Sequence, residues 1–163
     1  MTVIVRAGTP ADIEGARHCV DVVARERAYI GFLEGPSIEQ SRVFWTGLIE
    51  RGHPFLIVVD GARIVGWCDV EPVSRPILAH VGVLGMGLLP GYRERGIGRE
   101  LMAAALDASR ARGLEKVELG VFADNERARR LYERMGFVVE GVRSKRIKID
   151  GRYRDEVLMA YHL

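Results

Sequence analysis

Cysteine is scarce in this sequence. The chain of 163 residues has only two cysteines, Cys19 and Cys68, which lie far apart from each other. Such a pair forms neither the disulfide framework of a small secreted domain nor the paired spacing of a zinc site. We therefore expect a reducing compartment, the cytoplasm, and no metal.

Long apolar runs and an excess of one charge are also missing. No apolar stretch reaches the length of about 18 residues that a transmembrane helix needs, and residues 1–18 lack the apolar core of a signal peptide. The formal net charge is only +2 at pH 7, and basic residues do not cluster with aromatic ones. These features argue against a membrane and against nucleic acid as partners.

The remaining composition is typical of a single globular domain. Hydrophobic residues make up 48% of the chain and charged residues 28%, and no linker or repeat interrupts it. We predict one domain over residues 1–163, with the element order β-α-α-β-β-β-α-β-α-β-β. The predicted strands are 3–6, 55–59, 64–70, 79–89, 117–122, 138–149 and 153–163, and the predicted helices are 9–27, 37–50, 98–112 and 125–135. This order predicts an α/β fold with helices packed against a sheet.

The stretch GYRERGIGREL, residues 91–101, places glycines and arginines between an apolar strand and a helix. A Walker A loop would need Lys and Ser or Thr where Ile97 and Gly98 stand, so a P-loop nucleotidase is excluded. A dinucleotide fingerprint is weak, because Leu101 stands where a third small residue is needed. The start of a helix nevertheless favours a diphosphate, since its N–H groups are free and its dipole is positive there. The alternative is a tight turn whose arginines point into water.

A second motif follows the next predicted strand. Its residues, with the spacing N-x-x-A-x-x-L-Y-x-x-x-G-F, are Asn125, Ala128, Leu131, Tyr132, Gly136 and Phe137. Together with R-E-R-G-I-G at residues 93–98, this motif resembles the GCN5-related N-acetyltransferase (GNAT) superfamily, and the sequence looks most like small bacterial amino-acid and amine N-acetyltransferases. The resemblance is strong from residue 80 to the C-terminus, whereas the first half of the chain agrees in element order only.

The resemblance implies a GNAT-like fold: a mixed, mostly antiparallel and twisted sheet of about seven strands, flanked by about four helices and splayed between the fourth and fifth strands. It also implies acetyl-CoA as co-substrate, without a metal. The residues that it assigns to cofactor binding are Met86, Gly87, Leu88, Arg93, Glu94, Arg95, Gly96, Ile97, Gly98, Arg99 and Asn125. Backbone N–H groups of residues 93–99 are expected to hold the diphosphate, and capping of the last helix is the alternative role for Asn125.

The catalytic residues follow from the same resemblance. Tyr132 falls on the position that usually protonates the departing thiolate, and a core aromatic residue is the alternative interpretation. Many relatives place a glutamate on the strand before the glycine-rich loop, but residues 79–89 contain none. The general base is therefore open. His80, which titrates in the useful range, and Glu118 are the leading candidates, with Asp69 and Glu71 as further ones.

The acceptor site is expected between the first two helices and at the last hairpin, again from the resemblance. Tyr29, Phe32 and Glu34 are assigned to substrate binding, while Arg143, Lys145, Arg146 or Arg152 could meet a carboxylate. The alternatives are that the aromatic residues pack on the core and that the hairpin charges are solvated.

We therefore predict an enzyme that moves an acetyl group from acetyl-CoA directly to the primary amine of a small molecule, such as an amino acid or a related metabolite. One alternative is a protein or peptide N-acetyltransferase. Another is an acyl-CoA-binding regulatory module without turnover. A homodimer is expected only by analogy with relatives.

Overall fold

Residues 2–163 are described in the computed structural model, and seven of their segments form one sheet. The strands are β1 (Val3–Ala7), β2 (Phe55–Asp60), β3 (Arg63–Pro72), β4 (Val81–Leu88), β5 (Lys116–Phe122), β6 (Val138–Ile149) and β7 (Arg152–His162). The helices are α1 (Ile13–Arg25), α2 (Ile38–Glu50), α3 (Ile97–Ala111) and α4 (Glu126–Met135), with short 3-10 turns at Pro10–Asp12 and Pro76–Leu78. None of the helices in this part of the chain is long and apolar enough to span a membrane.

Strand pairing is antiparallel everywhere except at the centre of the sheet. The spatial order is β1-β2-β3-β4-β5-β7-β6, and β4 and β5 are the parallel neighbours. Their pairing covers only residues 81–83 against residues 116–118, after which the two strands diverge. The mixed sheet with four helices and a central splay confirms the predicted fold.

The first helix begins with a different geometry from the single helix predicted over residues 9–27. Pro10–Asp12 forms a 3-10 turn, and α1 follows it. A capping contact is present at this turn, because the Asp12 carboxylate accepts hydrogen bonds from the Thr9 amide at 2.8 Å and from its hydroxyl at 2.9 Å. Arg6 of β1 donates to both oxygens of the same carboxylate, which lowers the pKa of Asp12. The start of α1 is thereby tied to the first strand.

The helices cover both faces of the sheet. On one face, the Trp45 indole of α2 donates to Asp69 of β3 at 3.0 Å and stacks on Phe55 of β2, with ring centroids 5.0 Å apart. On the opposite face, Gly98 of α3 packs near the Leu88 side chain of β4. Asp69 and Leu88 point to different faces because side chains alternate along each strand. The core is therefore a double layer around the sheet.

Replacing Leu101 with alanine should destabilise the packing of α3 on the sheet. The Leu101 side chain is fully buried, so truncation leaves a cavity that costs about 3 kcal/mol in the free energy of unfolding. Denaturant-induced unfolding measures the loss. Val43→Ala on α2 is the control, because Val43 is 78% exposed and its truncation should cost less than about 0.5 kcal/mol. Equal losses in the two variants would contradict this packing.

Candidate active site

A cleft of about 2170 Å³ opens where β4 and β5 diverge. Its walls come from β3, β4 and β5, the loop before α3, one side of α4, the segment between α1 and α2, and the β6–β7 hairpin. Sites for single small ligands usually measure roughly 300–1,000 Å³. This cleft is therefore large enough to hold a cofactor and a second substrate together.

Two strand edges face each other across the cleft without a strand between them. Beyond residue 83, β4 pairs only with β3, and beyond residue 118, β5 pairs only with β7. Backbone N–H and C=O groups inside a protein need hydrogen-bond partners. The amide-bearing pantetheine arm of acetyl-CoA fits such a gap. The predicted cofactor residues Met86, Gly87 and Leu88 line its β4 side.

The loop of residues 93–99 presents seven consecutive backbone N–H groups that donate to no acceptor within residues 2–163. The next N–H group, that of Glu100, makes the first helical bond, to the Gly96 carbonyl at 3.2 Å. Gly96 has a φ of 79°, a conformation that glycine adopts without steric cost. Free N–H groups at the positive end of a helix dipole form an anion site, so the diphosphate of acetyl-CoA fits here. Glu94, Gly96, Gly98 and Arg99 line the cleft beside these groups.

The Arg93 side chain is engaged by groups outside this loop. Its Nε donates to the Leu88 carbonyl at 2.9 Å, and its two terminal nitrogens donate to the Glu26 carboxylate. The hydrogen bonds to Glu26 are the largest cause that raises the pKa of Arg93. The predicted role of Arg93 in cofactor binding therefore concerns its backbone N–H group.

Two other predicted cofactor residues, Arg95 and Ile97, are not among the residues that line the cleft. Arg95 donates to the Gly91 carbonyl at 3.1 Å and lies over the ring of Tyr92. Ile97 is buried in the core. Their roles in cofactor binding stay predictions, and these too concern backbone N–H groups.

The wall of the cleft on the α2 side depends on two glycines of β4. Trp67 pairs with Gly87 and Asp69 pairs with Gly85 across the β3–β4 ladder, so each pair shares a face of the sheet. A Cβ atom at Gly87 would clash with the Trp67 indole, and one at Gly85 would lie 3.5 Å from the Asp69 carboxylate. The missing side chains let the indole and the carboxylate reach the cleft across β4.

Asp69 is a buried carboxyl group in the wall of the cleft. Burial raises the pKa of Asp69 to about 7, which outweighs the lowering by the Trp45 indole that donates to Oδ2. The negative charge of Glu71, which also lines the cleft, raises the pKa further. A carboxyl group with a pKa near neutrality can take up and release a proton at the working pH. Asp69 therefore combines the location and the proton affinity of a general base.

Tyr132 of α4 lines the same cleft. Its ring packs against Phe137 with centroids 5.8 Å apart, and its hydroxyl has no hydrogen-bond partner within the described residues. Burial is the main cause that raises the pKa of Tyr132, so the hydroxyl stays protonated at neutral pH. The ring packs on the core, as the alternative interpretation expects, while the role of the hydroxyl as proton donor stays a prediction.

Asn125 is the N-cap of α4. Its Oδ1 accepts a hydrogen bond from the Ala128 N–H at 3.2 Å, which is the alternative role considered for it. Asn125 also lines the cleft, and its side-chain amide nitrogen has no partner in residues 2–163. The cofactor contact stays a prediction for that nitrogen.

His80 and Glu118 do not line the cleft. The structure puts His80 just before β4, where its carbonyl accepts from the amides of Glu115 and Lys116, at the end where β4 and β5 still pair. The Glu118 carboxylate accepts from Lys116 Nζ at 2.9 Å. The base role expected for these two residues stays a prediction, whereas the further candidates Asp69 and Glu71 both line the cleft.

The predicted acceptor residues lie together along one wall. Tyr29, Phe32 and Glu34 all line the cleft, and the Glu34 carboxylate is exposed and 3.5 Å from Arg25. From the hairpin, Arg146 lines the cleft and lies 3.6 Å from the Glu156 carboxylate. The other hairpin cations that the sequence suggested, Arg143, Lys145 and Arg152, are not among the lining residues.

Several residues that shape the site carry no recognisable signal in the sequence. Trp45 and Trp67 form the surroundings of Asp69. Glu26 contacts Arg93, and Arg127 contacts Tyr29. Alternation along β3 could have placed Trp67 with Asp69, but no pattern indicated the contact with α2. Within residues 2–163, no cluster of three or more His, Cys, Asp or Glu side chains could hold a metal ion.

Comparisons with known sequences agree with this geometry. The profile of the Acetyltransferase (GNAT) family matches residues 20–137. The chain is 26% identical to the L-amino acid N-acetyltransferase AaaT of Escherichia coli, over 97% of this chain and 96% of that protein. It is 48% identical over 87 residues to the mycothiol acetyltransferase of Beutenbergia cavernae, which covers 53% of this chain. The chain spans only 28% of the length of that relative.

Solved structures share the whole fold. The structure of yncA, described as a putative acetyltransferase from Salmonella typhimurium with its cofactor acetyl-CoA, superposes with a TM-score of 0.93. The match covers 100% of this chain and 95% of that one at 18% sequence identity. The family match confirms the expected acetyl-CoA-dependent N-acetyltransferase. It does not identify the acceptor amine. The chain belongs to the acetyltransferase (GNAT) family.

Proposed function

We propose that this protein transfers the acetyl group of acetyl-CoA to the primary amine of a small molecule, an amino acid or a related metabolite. The observation that carries the proposal is the presence, in one cleft, of a loop with free N–H groups and a buried carboxyl group whose pKa is raised to about 7. The loop suits the diphosphate of a coenzyme, and the carboxyl group suits an amine that must lose a proton before it attacks.

Acetyl-CoA would supply an acetyl thioester in the gap between β4 and β5. Backbone groups of residues 86–88 and residues 93–99 would hold it, since these groups face the cleft or lack partners. Backbone N–H groups on the free edge of β4 would also stabilise negative charge on the acetyl oxygen. This arrangement supports direct transfer, because the acceptor enters the same cleft.

Asp69 is the residue that we assign as general base. It approaches the cleft from the face of the sheet that carries Trp45 and Trp67. In its ionised form the carboxylate would take a proton from the ammonium group of the acceptor and leave a neutral amine. Glu71, the neighbouring carboxylate in the cleft, keeps the site attractive to a cation.

Tyr132 is the residue that we assign as general acid. Its hydroxyl remains protonated at neutral pH because burial raises the pKa, and no protein group within residues 2–163 accepts its proton. It lies on α4, near Cys68, which is on the opposite face of β3 from Asp69. The proton donor and the proton acceptor therefore reach the gap from different sides.

The residues on the acceptor side support a small molecule. The wall formed by Tyr29, Phe32 and the indoles is largely apolar, and Arg146 lies where it could meet a carboxylate. The relation to AaaT over nearly the whole chain supports an amino acid. Asp69 and Arg146 together would then recognise the two charged groups of one amino acid.

An acylation screen with a thiol-detecting reagent tests the proposed function. Acetyl-CoA is offered with amino acids, polyamines, aminoglycosides and N-terminal peptides, and we expect thiol release with at least one amino acid or small amine. Release with peptides alone would favour protein acetylation. Binding of acetyl-CoA without release with any amine would favour a regulatory module and contradict the proposed transfer.

Asp69→Asn should lower kcat/KM by about 10²–10⁴-fold, the usual contribution of a positioned base. It should also remove the limb of the pH–rate profile near pH 7, where the Asp69 carboxyl group titrates. His80→Ala and Glu118→Gln are made in parallel, and we expect both to keep that limb. If either variant loses it while Asp69→Asn retains it, the assignment of Asp69 is wrong.

Asp69 should also make stability depend on pH. Its pKa is about 7 in the folded protein but about 3.9 in an unfolded chain, so the folded state binds this proton more tightly. The resulting stabilisation is complete below the unfolded pKa and is lost as the pH rises through about 7. The advantage of Asp69→Asn over the wild type should therefore grow by about 2 kcal/mol between pH 5 and pH 8.

Denaturant unfolding at the two pH values measures this difference. Asp107→Asn is the control, because Asp107 is exposed on α3 and its substitution should give the same difference at both values. A pH-independent difference for Asp69→Asn would contradict the raised pKa of the carboxyl group.

A further inference from the structure

The Arg93 side chain links two parts of the cleft that the proposed reaction uses separately. Arg93 begins the loop of residues 93–99, but its Nη1 donates to Glu26 Oε2 at 2.8 Å and its Nη2 donates to the other carboxylate oxygen. The two side chains are only 15% and 26% exposed. A sheltered bidentate pair is stronger than an exposed one, because water and salt screen it less.

Glu26 is the C-cap of α1 and stands three residues before the segment that lines the cleft, residues 29–36. Residues 26–36 are here termed the acceptor wall. Tyr29 of this wall lies against two guanidinium groups. The Arg93 Cζ atom is 4.9 Å from the ring centroid, and the Arg127 Cζ atom of α4 is 5.3 Å from it. These cation–π contacts connect the wall to the elements on both sides of the proposed cofactor site.

The acceptor wall has few other sheltered polar attachments, among them the bond from Arg17 Nε to the Pro36 carbonyl at 2.8 Å. The amide groups of residues 30–34 donate to no acceptor in the described part of the chain, and Gly35 is held by Asp21 Oδ1 at 2.8 Å. Arg27 pairs with Asp150 of the hairpin at 2.7 Å, but those side chains are exposed. Exposed pairs contribute little to ordering. The Glu26–Arg93 pair is thus the sheltered ion pair of the wall.

We propose that the Glu26–Arg93 pair couples the two substrate sites. Coenzyme A that occupies the free N–H groups of residues 93–99 fixes this loop, and Arg93 then orders the acceptor wall through Glu26 and Tyr29. The Arg93 side chain is a positioning residue for the acceptor, and not a ligand of the phosphates. The inference rests on the proposed use of acetyl-CoA. Because coupling is reciprocal, an acceptor that orders the wall strengthens coenzyme A binding by the same factor.

Hydrogen–deuterium exchange with and without coenzyme A tests this coupling before any acceptor is known. The amides of Glu26, Arg27 and Gly35 are hydrogen-bonded, so their exchange reports opening of the wall. In the wild type, saturating coenzyme A should slow exchange in peptides that cover residues 26–36 by about tenfold. In Glu26→Gln this slowing should fall below about twofold, while calorimetry gives a coenzyme A affinity within about threefold of the wild type.

Glu14→Gln is the matched control, because Glu14 lies on α1 and likewise pairs with an arginine, Arg42, at 2.6 Å. It should behave as the wild type. Arg93→Lys keeps the charge but loses the bidentate geometry, so it should show the same loss of slowing by coenzyme A as Glu26→Gln. It serves as the test variant if Glu26→Gln unfolds.

Full slowing by coenzyme A in a folded Glu26→Gln or Arg93→Lys protein would overturn the coupling. A loss of more than about tenfold in coenzyme A affinity in Glu26→Gln would also overturn it, since the pair would then serve the cofactor site directly. A wild-type protein that binds no coenzyme A would instead contradict the proposed function itself, and the coupling with it.

Discussion

The divergence of β4 and β5 is the constraint on which the rest of the site depends. Parallel pairing stops after residues 83 and 118, so two strand edges lie free inside the protein. Unpaired backbone groups need hydrogen-bond partners, and the amide groups of a pantetheine arm can provide them. The same gap opens a passage through the sheet from one face to the other. A proton acceptor on one face and a proton donor on the other can therefore reach one reaction site. Cofactor binding and catalysis thus follow from one interruption of the ladder.

Burial gives the site its chemistry. Asp69 lies between Trp45 and the glycines of β4, in surroundings that disfavour a charged carboxylate. The single hydrogen bond from the indole compensates only in part, so the proton affinity rises toward the neutral range. This placement reduces stability at high pH, and in the proposed reaction it would provide a base at neutral pH. Perturbed groups of this kind concentrate at functional sites.

Much of the fold was predictable from the sequence, and so was the loop that we propose for the cofactor, because both rest on local patterns. Strand alternation, the Asp12 capping box and the glycines at 96 and 98 each act within a few residues, and the predicted elements agree with the observed ones. The base and the coupling pair that we propose depend on contacts between distant segments. Trp45 and Asp69 meet across α2 and β3, and Glu26 meets Arg93 across the mouth of the cleft. No spacing in the chain encodes these meetings, which explains why the sequence favoured His80 and Glu118 over Asp69.

Asp69 is a buried carboxyl group in the wall of the cleft, and its raised pKa is the property on which the proposed base role depends. Carbon-13 NMR of the side-chain carboxyl groups, with Asp69 assigned by comparison with the Asp69→Asn variant, measures this directly. The account predicts a titration midpoint for Asp69 of about 7. A midpoint near the ordinary value of an aspartate, roughly 4, would contradict it.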